Sequence, residues 1–142
     1  MTTTTTQTQT TNRSAKVRTE SRSWQGGNWI RGAKRWAIYH RDNVSCVYCG
    51  AGYTGPGSLT LDHVVCWVAG GTNHESNLVA ACHDCNSTRS DLTLDAFVRV
   101  RGLNAAVIRE RIANQTAKSL DKAQGTALYL ASKAQNKALK AA

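Results

Sequence analysis

Two pairs of cysteines constrain this chain more than any other feature of its sequence. Cys46 and Cys49 are separated by two residues, and so are Cys82 and Cys85. Two intervening residues let both sulfurs of a tight turn reach one tetrahedral ion at about 2.3 Å, and thiolates are soft ligands that suit zinc. Four thiolates leave no open coordination position. The spacing therefore predicts one structural zinc ion that joins the two pairs.

Two disulfides, four free thiols or a redox-active pair are the alternatives to a zinc site. The polar start MTTTTTQTQTTN has no apolar stretch, so we expect no secretory signal and a cytoplasmic protein, in which disulfides are rare. A redox pair normally opens a helix after a βαβ pattern, and neither pair has that context. The fifth cysteine, Cys66, has no place in a four-cysteine zinc site, and we expect it to be a small buried residue.

The distribution of charge indicates a polyanionic partner, with nucleic acid as the first candidate. The chain has 142 residues and a net charge of +9. Residues 1–45 carry +6, residues 46–90 carry −2 and residues 91–142 carry +5. A slightly acidic middle between two basic arms suits a cation site flanked by phosphate-binding surfaces, although both arms are alternatively just solvated faces. No apolar run approaches the roughly 20 residues of a membrane span, so no membrane partner is expected.

Hydrophobic periodicity divides the chain into three segments. Residues 1–23 are rich in Thr and Gln and then basic, which predicts a disordered tail. Residues 24–92 form the predicted core, and residues 93–142 a helical extension with breaks near Gly102 and Gly125. The elements predicted in the core are a lead-in helix from Trp29 to Arg41, strands from Leu59 to Val65 and from Leu78 to Ala81, and a short helix from Cys82 to about Ser90.

The motifs of the core, taken in order, resemble the HNH endonuclease family. The matching pieces are CVYCG, LTLDHVV, AGGTNHESNLV and ACHDCNSTR. The basic segment KRWAIYHRDNV is similar to the helix that precedes the first cysteine pair in many phage members. The resemblance covers less than half of the chain. It implies an α+β fold, in which a small ββα-metal (His-Me finger) core is stapled by a zinc site of four cysteines and flanked by helices and the disordered N-terminal tail.

The resemblance also implies divalent-metal-dependent hydrolysis of DNA phosphodiester bonds. His63 is the natural general base, since an imidazole titrates near neutral pH. Asp62 and the amide oxygen of Asn86 are hard oxygen ligands that suit a catalytic Mg²⁺ or Mn²⁺. By analogy with the family, Asn77 completes the catalytic set, because it is expected to hold the following loop and the backbone of His63.

Four cations are candidate contacts for substrate phosphates. Arg31, Lys34 and Arg35 lie on the lead-in helix, and Arg89 lies three residues after Asn86, on the same helix face. Similarity to phage-encoded members further implies a bacterial or phage-infected host cell, and a phage packaging protein as a partner of the C-terminal helices.

Two rival functions use the same features. One is a non-enzymatic zinc-knuckle module that binds DNA or RNA through the basic arms, and the other is an interaction protein with an inactive core. A pure binding module has no need of Asp62, His63 and Asn86, which favours the nuclease. The nuclease hypothesis carries one geometric condition. A regular strand directs Asp62 and His63 to opposite faces, so the strand must end or bulge there for both to reach one phosphate.

Overall fold

A computed structural model describes residues 30–142 of the chain, so the predicted tail lies outside the described residues. Single turns of 3-10 helix at Trp67–Ala69 and Glu75–Asn77 lie between the two strands. This mixture of helices and one small sheet confirms the predicted α+β class. In the described part of the chain, no helix has the length and apolar character needed to cross a membrane. The helices and strands are α1 (Gly32–Arg41), β1 (Leu59–His63), β2 (Leu78–Cys82), α2 (His83–Arg89), α3 (Leu94–Arg101), α4 (Ala105–Thr116) and α5 (Lys122–Ala141).

The sheet is an antiparallel pair that leads directly into α2. Leu59 lies opposite Cys82, and His63 lies opposite Leu78. β1 is two residues shorter than predicted, because the backbone N–H groups after His63 leave the ladder. Val64 and Val65 donate instead to the backbone and side-chain oxygens of Asn77, both at 2.8–2.9 Å.

The hydrophobic core joins the sheet to α1, α3 and α4. Phe97 of α3 and Ile108 and Ile112 of α4 are buried in the same core as both strands. The rings of Phe97 and Tyr48 meet edge to face with centroids 4.9 Å apart. The core therefore extends across the predicted boundary between residues 92 and 93, and that boundary stays a prediction.

α5 packs along α1 through small residues. A Cβ atom on Gly125 would lie 2.5 Å from the Cβ of Ala37 and 2.6 Å from the carbonyl oxygen of Ala33, so only glycine permits this contact. The helix break predicted near Gly125 falls at residues 117–121, between α4 and α5, while Gly125 itself lies inside α5, where close packing rather than a turn explains the glycine. Gly102 does end a helix, since it caps α3 in the left-handed conformation with φ of +65°.

A buried ion pair ties the end of α1 to β2. Nε of Arg41 donates to Oδ1 of Asp42 at 2.7 Å, and both side chains are 1% exposed. The guanidinium also donates to the carbonyl oxygens of Glu75 and Leu78, while Oδ2 of Asp42 accepts from the N–H of Ala80 at 2.8 Å. The pair therefore fixes both β2 and the loop before it against α1.

Candidate active site and zinc-binding cluster

The four cysteines of the two CxxC pairs converge on one point. Their Sγ atoms all lie within 4.8 Å of one another, and those of Cys49 and Cys82 are 3.7 Å apart. A tetrahedron with Zn–S bonds of about 2.3 Å has edges of about 3.8 Å, so the cluster fits a single zinc ion. Within residues 30–142, this is the one group of three or more Cys, His, Asp or Glu side chains arranged to hold a metal.

The surroundings of the cluster suit bound thiolates. The N–H groups of Cys49 and Cys85 point at Sγ of Cys46 and Cys82 at 3.5 and 3.3 Å, and Arg101 donates to Sγ of Cys85 at 3.4 Å. These donors offset the negative charge that four thiolates leave on one dication. Burial raises the pKa of the Cys46 and Cys85 thiols, so a metal is needed to displace their protons.

Cys66 lies outside this cluster. Its side chain is buried, and Sγ donates to the carbonyl oxygen of Leu92 at 3.4 Å. It is thus a small buried residue, as the sequence predicted.

Asp62 faces α2 and is held in a buried ion pair. Its Oδ2 accepts from Arg89 at 2.9 Å and from the hydroxyl of Tyr48 at 2.5 Å. Burial raises the pKa of the Asp62 carboxyl, and the neighbouring guanidinium offsets part of that rise. Both of these contacts use Oδ2, so among the described residues Oδ1 is the oxygen of Asp62 that they leave for another ligand.

Asn86 lies on the same side of the sheet as Asp62. Its Nδ2 donates to Oγ1 of Thr60 at 2.7 Å and to the carbonyl oxygen of Leu61 at 3.3 Å. Thr60 and Asp62 are two residues apart and share one strand face. The structure thus brings Asp62 and Asn86, the predicted ligands of the catalytic ion, to one face of β1.

His63 is the last residue of β1 and lies on the opposite face. It is 7% exposed, and its Nε2 is 2.8 Å from Oδ1 of Asn73, with the ring of Trp67 at a centroid distance of 6.1 Å. A carbonyl oxygen only accepts, so this contact favours the tautomer in which Nε2 is the donor. β1 ends at His63, but Asp62 and His63 still pair regularly with Val79 and Leu78, so their action on one phosphate stays a prediction.

Asn77 closes the loop between the strands. Its Nδ2 donates to the carbonyl oxygens of Val65 and Thr72 at 3.1 and 2.9 Å, and its Oδ1 accepts from the N–H of Val65. A Cβ on Gly71 would lie 1.7 Å from the carbonyl oxygen of Val65, so only glycine lets the loop cross here. Asn77 holds the loop, but its side chain binds the backbone of Val65 rather than that of His63.

Comparison with known proteins gives a family for the segment that contains both cysteine pairs and both strands. Residues 46–92, from the first cysteine pair to just beyond α2, match the family model for the HNH endonuclease. These residues are an HNH endonuclease domain. The chain is also similar to the CRISPR-associated endonuclease Cas9 of Corynebacterium diphtheriae, with 30% identity over 79 residues, which are 55% of this chain. The chain spans about 7% of the length of that relative. No solved structure matches.

The structure contradicts one predicted substrate contact, that of Arg89. Arg89 is 1% exposed, and a guanidinium has five N–H donors. All five are used inside the domain, so no donor is left for a phosphate and the prediction for Arg89 is wrong. The acceptors are the carbonyl oxygens of Val64 and Leu92, the hydroxyl of Tyr48, the carboxylate of Asp62 and the sulfur of Cys66.

The remaining predicted phosphate contacts lie on α1. Arg31 is exposed where the helix begins, and Arg35 lines a groove with Trp36. Lys34 is 35% exposed, but its Nζ donates to the carbonyl oxygen of Asn73 at 3.2 Å and pairs with Glu75 at 3.3 Å. Lys34 therefore holds the loop that carries Asn73, and a phosphate contact by any of these three cations stays a prediction.

Asn73 is the site residue that sequence reasoning missed. It lies in the polar stretch TNHESN, where any of several side chains could accept a hydrogen bond. No spacing rule identifies which of them faces the end of β1. The structure selects Asn73, because Lys34 fixes its backbone and His63 contacts its side chain.

Proposed function

We propose that this protein is a divalent-metal-dependent DNA endonuclease that hydrolyses phosphodiester bonds. The observation that supports the proposal is the placement of Asp62 and Asn86 on one face of β1, with His63 as its last residue, inside the segment that matches the HNH endonuclease model. The net charge of +9 supports a nucleic-acid substrate. Similarity to phage members supports a phage origin and a bacterial or phage-infected host cytoplasm as the place of action.

The oxygens Oδ1 of Asp62 and Oδ1 of Asn86 would hold the catalytic Mg²⁺ or Mn²⁺. Both are hard donors, but one anionic and one neutral ligand make a weak site that water and substrate phosphate must complete. When bound, the ion stabilises the charge that develops on the phosphorane and on the leaving 3′ oxygen. Arg89 and Tyr48 hold the other oxygen of Asp62, which orients the carboxylate toward this role.

His63 acts as the general base in this proposal. Its Nδ1 takes a proton from the attacking water, while the bond from Nε2 to Asn73 fixes the ring. Attack by water with departure of the 3′ oxygen leaves 5′-phosphate and 3′-hydroxyl ends. Asn77 has a positioning role, because it closes the loop that begins directly after the base.

Asn86→Ala is expected to weaken binding of the catalytic ion without destabilising the fold. Loss of one of two protein ligands should raise the Mg²⁺ concentration that gives half-maximal plasmid cleavage by about 10- to 100-fold. Mn²⁺ should restore part of the rate. The measurement is a metal titration of cleavage on protein that retains its zinc.

Ser87→Ala is the matched control for this experiment, since Ser87 is the next residue of α2 and is exposed. Its metal dependence should equal that of the wild type. An unchanged half-maximal metal concentration in Asn86→Ala would remove Asn86 from the metal site.

Asn73→Ala is expected to lower the cleavage rate by about 10- to 100-fold, because the imidazole loses its orienting acceptor. Asn73→Asp keeps an acceptor but adds a negative charge, which favours the protonated imidazole. The acidic limb of the pH–rate profile of Asn73→Asp should therefore move to higher pH than in the wild type. The measurement is the single-turnover rate between about pH 5 and 9, the range in which an imidazole titrates.

Thr72→Ala is the control in the same loop, because its hydroxyl accepts only one long hydrogen bond, at 3.4 Å. It should keep the wild-type rate and profile. If Asn73→Asp lost activity without any movement of the profile, Asn73 would have a structural role only.

A further inference from the structure

α5 is a cationic helix without acidic side chains. Its 20 residues include four lysines, Lys122, Lys133, Lys137 and Lys140, and no Asp or Glu. All four lysines are exposed. A helix that is merely solvated usually mixes both signs of charge, which supplies stabilising pairs four residues apart. Apart from Asp121, which caps the helix beside Lys122, α5 offers its lysines no acidic neighbour within the helix.

The four lysines lie along one edge of the helix, here called the lysine edge. At about 3.6 residues per turn, Lys140 is five whole turns after Lys122, and Lys133 and Lys137 lie within about 60° of that line. The edge is about 27 Å long, at about 1.5 Å per residue. The Nζ of Lys133 also lies over the ring of Tyr129, 5.4 Å from its centroid.

The lysine edge leads toward the candidate active site. Lys122 lines a groove of about 460 Å³ between α5 and α1 together with Arg31 and Lys34. Glu75 is the acid of this groove, and it is paired with Lys34. Lys34 in turn donates to the backbone of Asn73 beside His63. The N-terminal end of the lysine edge therefore lies in the same groove as two cations of α1, one of which contacts the loop that carries Asn73.

Helix stability does not explain this pattern. The helix dipole rewards cations in the last turn, which accounts for Lys140 alone. Lys122 lies in the first turn, where a cation is unfavourable. Lys133 and Lys137 are four residues apart, so their like charges repel each other. An external polyanion removes these costs.

We propose that the lysine edge binds the phosphate backbone of duplex DNA beside the cleavage site. This inference rests on the proposed DNA endonuclease function and adds the path that the DNA takes across the protein. At about 3.4 Å per base pair, an edge of about 27 Å follows about eight base pairs on one side of the cut. Similarity to phage-encoded members instead implies a packaging protein as the partner of the C-terminal helices.

The test compares two charge-matched double variants in a His63→Ala background, so that the DNA is bound but not cut. Lys133→Gln with Lys137→Gln removes two charges from the lysine edge. Arg99→Gln with Lys118→Gln removes two exposed charges outside α5, one on α3 and one in the connection between α4 and α5. The dissociation constant for a duplex of about 20 base pairs is measured against KCl concentration.

Each phosphate contact contributes about −0.9 to the slope of log affinity against log salt. The lysine-edge variant should therefore lose about 1.8 from the magnitude of this slope, and the control should lose almost nothing. Equal slopes in the two variants, or no change in either, would overturn the proposal and leave the edge to a protein partner. Failure of wild-type protein to cleave DNA, with the lysine-edge effect intact, would contradict only the endonuclease function.

Discussion

Replacement of Cys85 by serine should unfold the HNH domain. Cys85 is fully buried and supplies one of four thiols whose sulfurs lie within 4.8 Å of one another. Zinc binding in small structural sites provides about 10–16 kcal/mol, which is comparable with the whole free energy of unfolding of a domain of this size. The cluster also links the turn before β1 to the start of α2. Circular dichroism and zinc analysis should show loss of the folded state together with the metal, against about one zinc per chain in the wild type.

Cys66→Ser is the matched control, because Cys66 is also buried but lies outside the cluster. A serine hydroxyl can donate to the carbonyl oxygen of Leu92 as the thiol does. This variant should keep both zinc and fold. Wild-type protein that folds without zinc, with its CxxC cysteines in disulfides, would refute the zinc assignment.

His63→Ala should lower the cleavage rate by about 10²- to 10⁴-fold, the usual effect of losing a general base. The fold should survive, because β1 keeps its backbone pairing with Leu78 and the zinc cluster is untouched. DNA binding should survive as well, since the basic surfaces lie on α1 and α5. Single-turnover cleavage at saturating protein measures the effect on chemistry without a contribution from affinity.

His40→Ala provides the control for general effects of histidine removal. His40 is exposed near the end of α1 and has no role in the proposed reaction. The cleavage rate of His40→Ala should equal that of the wild type. A His63→Ala variant that was unfolded would not bind DNA, so the binding measurement separates loss of the base from loss of the domain.

Local patterns in the sequence predicted the elements of the core and the zinc-binding cluster. The spacing of Cys46, Cys49, Cys82 and Cys85 is a covalent fact of the chain, so it survives folding. The alternation of Asp62 and His63 across strand faces is equally local. This alternation requires β1 to end or bulge at these two residues if both are to reach one phosphate, and the strand ends at His63.

Contacts between distant parts of the chain could not be predicted in this way. Arg89 has the spacing of a phosphate contact on the helix that carries Asn86, but the long-range ion pair with Asp62 buries it. Asn73 gains its role only because the loop folds back onto the end of β1. Gly125 resembles a helix break, yet its function is the close approach of α5 to α1. In each case the deciding partner lies far along the chain or on another element.

In the proposed reaction one site, built from a divalent ion and His63, cuts DNA. Cleavage of supercoiled plasmid by zinc-loaded protein that has been freed of other divalent ions measures this activity. We expect nicked or linear plasmid when Mg²⁺ is added to the wild type, intact plasmid without Mg²⁺, and intact plasmid with His63→Ala in Mg²⁺. Cleavage by His63→Ala at the wild-type rate, or cleavage by the wild type that needs no added divalent ion, would show that this site does not act as proposed.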